Sequence, residues 1–291
     1  MTSADTSSDA PGPDQISSTK DEVDLGQLPP EIWKEIVEFS ALSSLKQAYI
    51  LTRVSKTFCT WTQPILRRTA LHYNDLCGWP LKTPNLSWFR QNGSYLRNLL
   101  WGIGGKMDLL ASILGHCPVL ENLGVWVYVP RSKVHLIRPA LSKLRLRELS
   151  INPFALFSTD EFGPELAKDP MFTHITHFHA IFEAAAPEWR QLTGLAYIPS
   201  LTHIALHLAA RSAVYGVHEH CKQMQVLIVL RGVTGDDPLS EPIAEKLVVP
   251  PLRTIQDWEA GAMGKRDFWR AAEEELAKRN MSEDGHSVND M

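Results

Sequence analysis

Five histidines, His174, His177, His179, His203 and His207, lie close together in a chain of 291 residues. Imidazole is a common zinc ligand and titrates near neutral pH, so the cluster raises three questions: metal binding, acid–base chemistry and pH-sensitive recognition. No carboxylate or thiol stands at ligand spacing beside them. The chain has no H-E-x-x-H, no G-x-S-x-G elbow and no nucleophile–base pairing. Trp101-Gly102-Ile103-Gly104-Gly105-Lys106 lacks the spacing and the following Ser or Thr of a phosphate loop, and reads as a turn between strand and helix. The histidines are therefore expected to be imidazoles of a recognition surface. No catalytic residue, metal site or cofactor is assigned, and the chain reads as a non-enzyme.

The element that would position them is a repeat. An apolar residue, two others, an apolar residue, one other and a third apolar residue recur six times: Leu96/Leu99/Trp101, Leu120/Leu123/Val125, Leu146/Leu149/Ile151, Ile175/Phe178/Ala180, Leu201/Ile204/Leu206 and Met224/Leu227/Val229. Successive starts differ by 24, 26, 29, 26 and 23 residues. A short apolar strand at a period in the twenties is the pattern of leucine-rich repeats, in which each unit gives one parallel strand and a returning helix or turn. Met107 to Leu114 and Lys133 to Leu141 read as returning helices, and Pro118 stops the first before the next strand. The Asn that often follows the strand is absent, Tyr128 standing there in the second unit, so the repeats are expected to be irregular.

In a strand, neighbouring side chains point to opposite faces, so the residues flanking each central apolar position would form the concave face. Asn98, Leu100, Asn122, Ser150, Val226 and Ile228 belong to it. Trp126, Glu148, His177, His179, His203 and His207 are its candidate substrate contacts, with His177 one strand spacing from His203. Leu247-Val248-Val249 reads as a last short strand. After it, Phe268, Ala272 and Leu276 recur at i, i+4, i+8 on a helix expected to cap the end of the repeats.

Ahead of the repeats, Leu28 to Leu66 reads as three short helices. Pro30 suits a first helical position, Ser43 or Ser44 and Ser55 suit N-caps, and Pro64 is expected to kink or restart the third helix. Ile32 and Ile36, beside Trp33 and Val37, give the first helix a broad apolar face. Three helices of this size bury too little to be comfortable alone, which points to a covering partner. Leu28-Pro29-Pro30-Glu31-Ile32-Trp33, Ile36, Leu45 and Val54-Ser55-Lys56-x-Phe58-x-x-Trp61 resemble an F-box, in the F-box-like form abundant in mushroom-forming fungi. Asp257-Trp258-x-x-Gly261 and Asp267-Phe268-Trp269-x-x-Ala272-Glu273 resemble the end of the same proteins.

The resemblance implies docking to the Skp-type adaptor of a cullin-RING (SCF-type) ubiquitin ligase through Leu28, Pro29, Ile32, Trp33 and Ile36. Val54, Phe58 and Trp61 would close the small domain, and an unidentified protein substrate would sit on the repeats. The other reading is a leucine-rich-repeat interaction scaffold unconnected to ubiquitin, its N-terminal helices packed on its own repeats.

Composition agrees with an intracellular protein of the cytoplasm or nucleus. Hydrophobic residues make up 44% of the chain, yet no apolar run approaches a bilayer span and the polar N-terminus lacks the core of a signal peptide. Cys59, Cys77, Cys117 and Cys221 lie far apart without a C-x-x-C pair, which favours reduced, buried thiols. Six acids against Lys20 put −5 on residues 1–24, leaving +1 of the −4 total on the rest. A neutral body lacks the footprint of a nucleic-acid binder. The expected fold is α/β: a disordered acidic tail (1–24), an F-box-like three-helix module (25–71), a connector (72–94), an irregular leucine-rich-repeat solenoid with a parallel sheet (95–252), a C-terminal capping helix region (253–280) and a disordered tail (281–291).

Overall fold

A computed structural model describes residues 28–72, 85–102, 106–127, 133–157, 159–182, 186–230, 233–234, 247–248 and 254–286. The expected tail at 1–24, much of the connector and Tyr128 lie outside the described residues.

The chain enters through helices α1 (Pro30–Ser43), α2 (Leu45–Leu51) and α3 (Lys56–Leu66). Pro30 is the first helical residue of α1. Ser44 Oγ accepts from the Gln47 amide at 3.1 Å and Ser55 Oγ from the Phe58 amide at 3.1 Å, satisfying helix-start donors that would otherwise be orphaned. Pro64 does not break α3, which runs on to Leu66. The helices pack through Ala41, Ala48 and Leu66, with Leu51 and Ile65 alongside, and Phe58 stacks on Trp61 at 5.7 Å.

After two intervening residues strand β1 (Thr69–His72) begins, then α4 (Leu86–Asn92), β2 (Asn98–Trp101), α5 (Met107–Leu114), β3 (Asn122–Val125), α6 (Val134–Leu141), β4 (Glu148–Ile151), α7 (Pro153–Phe157) and α8 (Pro164–Ala167). Next come β5 (His177–Ala180), β6 (His203–Leu206), β7 (Ala209–Ala210), α9 (Arg211–His220), β8 (Val226–Val229), β9 (Val233–Thr234), β10 (Leu247–Val248), α10 (Thr254–Ala262) and α11 (Phe268–His286). The fold is α/β. Eight strands form one all-parallel sheet in chain order, β1-β2-β3-β4-β5-β6-β8-β10, and β7 pairs with β9 beside it. No helix among the described residues is long and apolar enough to cross a membrane.

Six of the eight strands coincide with the apolar triplets. The leading residue of each triplet, from Leu96 to Met224, is buried in the main core just before its strand. The register aligns Ala70, Leu99, Leu123, Leu149, Phe178, Ile204, Leu227 and Leu247 across the sheet, and this row packs on α5, α6 and α9 in the main core. Phe157, Phe162, Phe172 and Phe178 fill the middle of that layer with ring centroids 5.3–6.3 Å apart. Cys117 and Cys221 are free and buried, and burial pushes both thiols up to about 12.

Two boundaries differ from the sequence reading. Thr69–His72 is a strand of the sheet, because the Arg68 carbonyl takes the Arg97 and Asn98 amides and carries α3 straight into β1. Helix α11 continues to His286, past the break expected at Met281. Phe178 is fully buried at the centre of the aromatic layer, so Phe178→Ala is expected to cost about 3–5 kcal/mol of stability in urea unfolding.

Candidate functional site

The second face of the sheet carries the candidate residues, and the chain covers it with its own C-terminal helices. Along one row the register runs Thr69, Asn98, Asn122, Glu148, His177, His203, Val226; along the next, Leu71, Leu100, Gly124, Ser150, His179, Ala205, Ile228, Val248. The face is apolar at the β8–β10 margin and polar in the middle, and at the β1–β2 margin Leu71 and Leu100 lie beside the polar Thr69 and Asn98. Helices α10 and α11 follow that gradient. Trp258 of α10 packs on Leu71 and Leu100, with Trp126 and Ala262 beside it. Phe268, Trp269, Ala272 and Leu276 of α11 pack on Ala205, Val226, Ile228, Leu230 and Val248.

The α/β sequence places this segment by a few defined contacts. Gly124 leaves space at the crossing, since a Cβ there would meet Leu100 Cδ1 at 2.6 Å and approach Trp258 Nε1 at 3.4 Å. Asn98 Nδ2 donates to Thr69 Oγ1 at 2.9 Å and to the Ala262 carbonyl at 3.0 Å, and Asn122 Nδ2 donates to Asn98 Oδ1 at 2.8 Å. The chain then reverses at Gly264, whose φ of +69° suits glycine. Asp267 Oδ1 accepts from the Arg270 amide at 2.8 Å and so starts α11. At the far margin Arg279 Nη1 donates to the Leu247 carbonyl at 3.1 Å. The helix read as an end cap therefore lies across the sheet, where its Phe268/Ala272/Leu276 stripe meets apolar strand residues.

The candidate substrate contacts accordingly have intramolecular partners. Trp126 Nε1 donates to Ser150 Oγ at 2.6 Å, and Ser150 Oγ bonds His179 Nδ1 at 2.7 Å. His179 is buried, faces Phe268 edge-on at 5.7 Å, and its Nε2 has no hydrogen-bond partner among the described residues. His207 lies 6.2 Å from it, ring to ring. Glu148 Oε1 accepts from Trp269 Nε1 at 3.0 Å. His177 and His203 stack at 4.1 Å with 14° between planes, and Trp269 stands edge-on to both. His203 Nε2 lies 3.0 Å from Glu273 Oε1. Among the described residues His177, His203 and Glu273 are grouped with one ligating atom each, all within 4.8 Å. Glu273, which sequence reasoning missed, is 70 residues from His203, and no local pattern links them. His174 is exposed outside the cluster.

On the N-terminal helices the arrangement is the reverse. Val37 and Ala41 of α1 are buried and Trp33 packs against Phe58 at 6.2 Å. Pro29 is exposed, Leu28 is partly buried, and Ile32 and Ile36 keep 40% and 46% of their surface, with Phe39 at 81%. Ile32, Ile36 and Phe39 form an i, i+4, i+7 stripe turned away from the helices' own core. No protein-family model matches the chain, and no curated protein matches it significantly.

Burial shapes the titration of the covered face. It lowers His179 to about 3, helped by His207, and His177 to about 3, helped by His203 and Arg147. His203 is also lowered by burial, against the pull of Glu273 and Asp267. Burial raises Glu148 to about 7 against the Trp269 hydrogen bond. A histidine depressed in the folded state contributes stability that is complete above its ordinary 6.5 and is lost as pH falls. A raised glutamate acts in the opposite sense, its contribution being present below 4.5 and lost as pH rises through about 7. Between pH 6.5 and pH 5 two histidines outweigh one glutamate, for an expected net loss of about 1–2 kcal/mol. Urea unfolding across that range, in a buffer containing chelator, checks this, and Glu148→Gln should steepen the loss.

Proposed function

We propose that the chain is a substrate-recognition adaptor of a cullin-RING ubiquitin ligase: α1–α3 are an F-box-like module that docks to a Skp-type adaptor, and the strand-bearing units are leucine-rich repeats that present a substrate protein. The observation that carries this reading is the exposure, together, of Pro29, Ile32, Ile36 and Phe39, while Val37 and Ala41 are buried and Trp33, expected at the adaptor, is partly buried against Phe58. Helices serving only to cap the sheet would bury that stripe against it, so its exposure disfavours the scaffold reading. A docking site of standard size buries about 800 Å² on each partner, which a three-helix module can supply. Eight parallel strands in chain order, six of them at the repeat period, support the second half.

In this mechanism the chain makes and breaks no covalent bond. Two binding surfaces on one chain raise the effective concentration of a substrate lysine beside the conjugating enzyme. With α10 and α11 in place, Trp126, Glu148, His177, His179 and His203 serve the fold. The substrate surface is then the outer side of these helices, where Lys265, Arg266, Arg270 and Lys278 are exposed. The same reading puts the protein in the cytoplasm or nucleus.

Ile32→Asp with Ile36→Asp places two charges on an exposed stripe and should leave the fold intact. Pull-down from cells is expected to recover a Skp-type adaptor with the wild-type chain and at least tenfold less with the double variant. Equal recovery by both, or none with wild type, contradicts the proposal.

A further inference from the structure

The geometry points to a second, unrelated property: we propose that His177, His203 and Glu273 bind a divalent transition metal of the zinc class, a clip that ties two neighbouring strands to helix α11. Their ligating atoms converge within 4.8 Å from three elements, β5, β6 and α11. Two imidazoles and one carboxylate are a donor set that zinc accepts, leaving a fourth position for water. Two nitrogen donors argue against magnesium or calcium, which prefer oxygen.

The residues behind the histidines repeat from one strand to the next. Thr176 Oγ1 lies 2.9 Å from His177 Nδ1 and 3.2 Å from the Arg147 carbonyl; Thr202 Oγ1 lies 2.8 Å from His203 Nδ1 and 3.2 Å from the Thr176 carbonyl. A hydroxyl has one proton. When it goes to the carbonyl, the hydroxyl oxygen accepts from Nδ1–H, and the lone pair of each neutral ring is left on Nε2. That is the tautomer a metal needs, fixed by an outer hydrogen bond as ligating histidines generally are. His177 Nε2 makes no hydrogen bond among the described residues. His203 Nε2 faces the Glu273 carboxylate, so in this tautomer two acceptors meet across 3.0 Å unless a proton or a cation lies between them.

Bonds of zinc length set tetrahedral ligand atoms about 3.3 Å apart. Binding therefore leaves the His203–Glu273 pair, at 3.0 Å, close to its final spacing, draws His177 Nε2 toward them and splays the two stacked rings. Glu273, with half its side chain exposed, has the freedom to follow. Asp267 adds negative charge around the site, and Arg147, exposed beside His177, opposes it.

Zinc titration of the full chain against a chromophoric indicator, paired with cobalt absorption spectra and thermal unfolding, tests the site. One zinc per chain, a tetrahedral cobalt spectrum and a higher Tm with zinc are expected. Glu273→Gln and His177→Ala should each weaken binding at least tenfold, and Thr176→Val about 10–100-fold. Circular dichroism checks that each variant folds. If His177→Ala does not, Glu273→Gln, at a half-exposed side chain on the rim of α11, decides. No zinc uptake by the wild-type chain, or unchanged affinity in Glu273→Gln, overturns the assignment.

Discussion

A parallel sheet has two faces to take out of water, and the contact that meets this requirement here is the one between the second face and the C-terminal helices. The first face is covered locally, by segments lying between consecutive strands. The second depends on residues 254–286, whose Trp258, Phe268, Trp269, Ala272 and Leu276 are all nearly or fully buried. Each large side chain among them contributes about 1.5–3 kcal/mol by burial. The polar groups of the face are matched as well: Asn98 donates to the Ala262 carbonyl, Glu148 accepts from Trp269 Nε1, and His203 meets Glu273. Without these helices a buried carboxylate, three histidines and an apolar margin would all face solvent.

This contact divides the surface of the molecule. The sheet, which would be the natural place for a partner, is engaged internally. The apolar stripe of α1, by contrast, keeps Ile32, Ile36 and Phe39 exposed together on one helix face. The proposed docking role follows from that contrast. The burial that seals the sheet also sets its electrostatics, holding His177 and His179 neutral and keeping Glu148 protonated further toward neutral pH.

Local periodicity carried much of the fold. The triplets Leu96/Leu99/Trp101 to Met224/Leu227/Val229 coincide with strands because each four-residue strand shows its own alternation, and the caps at Ser44 and Ser55 depend only on neighbouring amides. Strand β1 was not legible: Thr69-Ala70-Leu71-His72 lacks a leading leucine and gains its place by pairing with β2, a contact across 29 residues. The amphipathic stripe of α11 was legible, but its destination was not, since an apolar stripe looks the same whether it meets the end of a sheet or its face. The histidines' carboxylate partner was hidden for the same reason, Glu273 being local to nothing in the cluster.

Hydrogen exchange of the purified chain, alone and with a Skp-type adaptor, tests most directly the claim of a sealed sheet and an open helix. The account predicts slow exchange in β4–β6 and in α11 in both states, with new protection confined to α1 and its neighbours when the adaptor binds. Fast exchange in α11 of the free chain, or adaptor-induced protection on the second face of the sheet instead of α1, would contradict it.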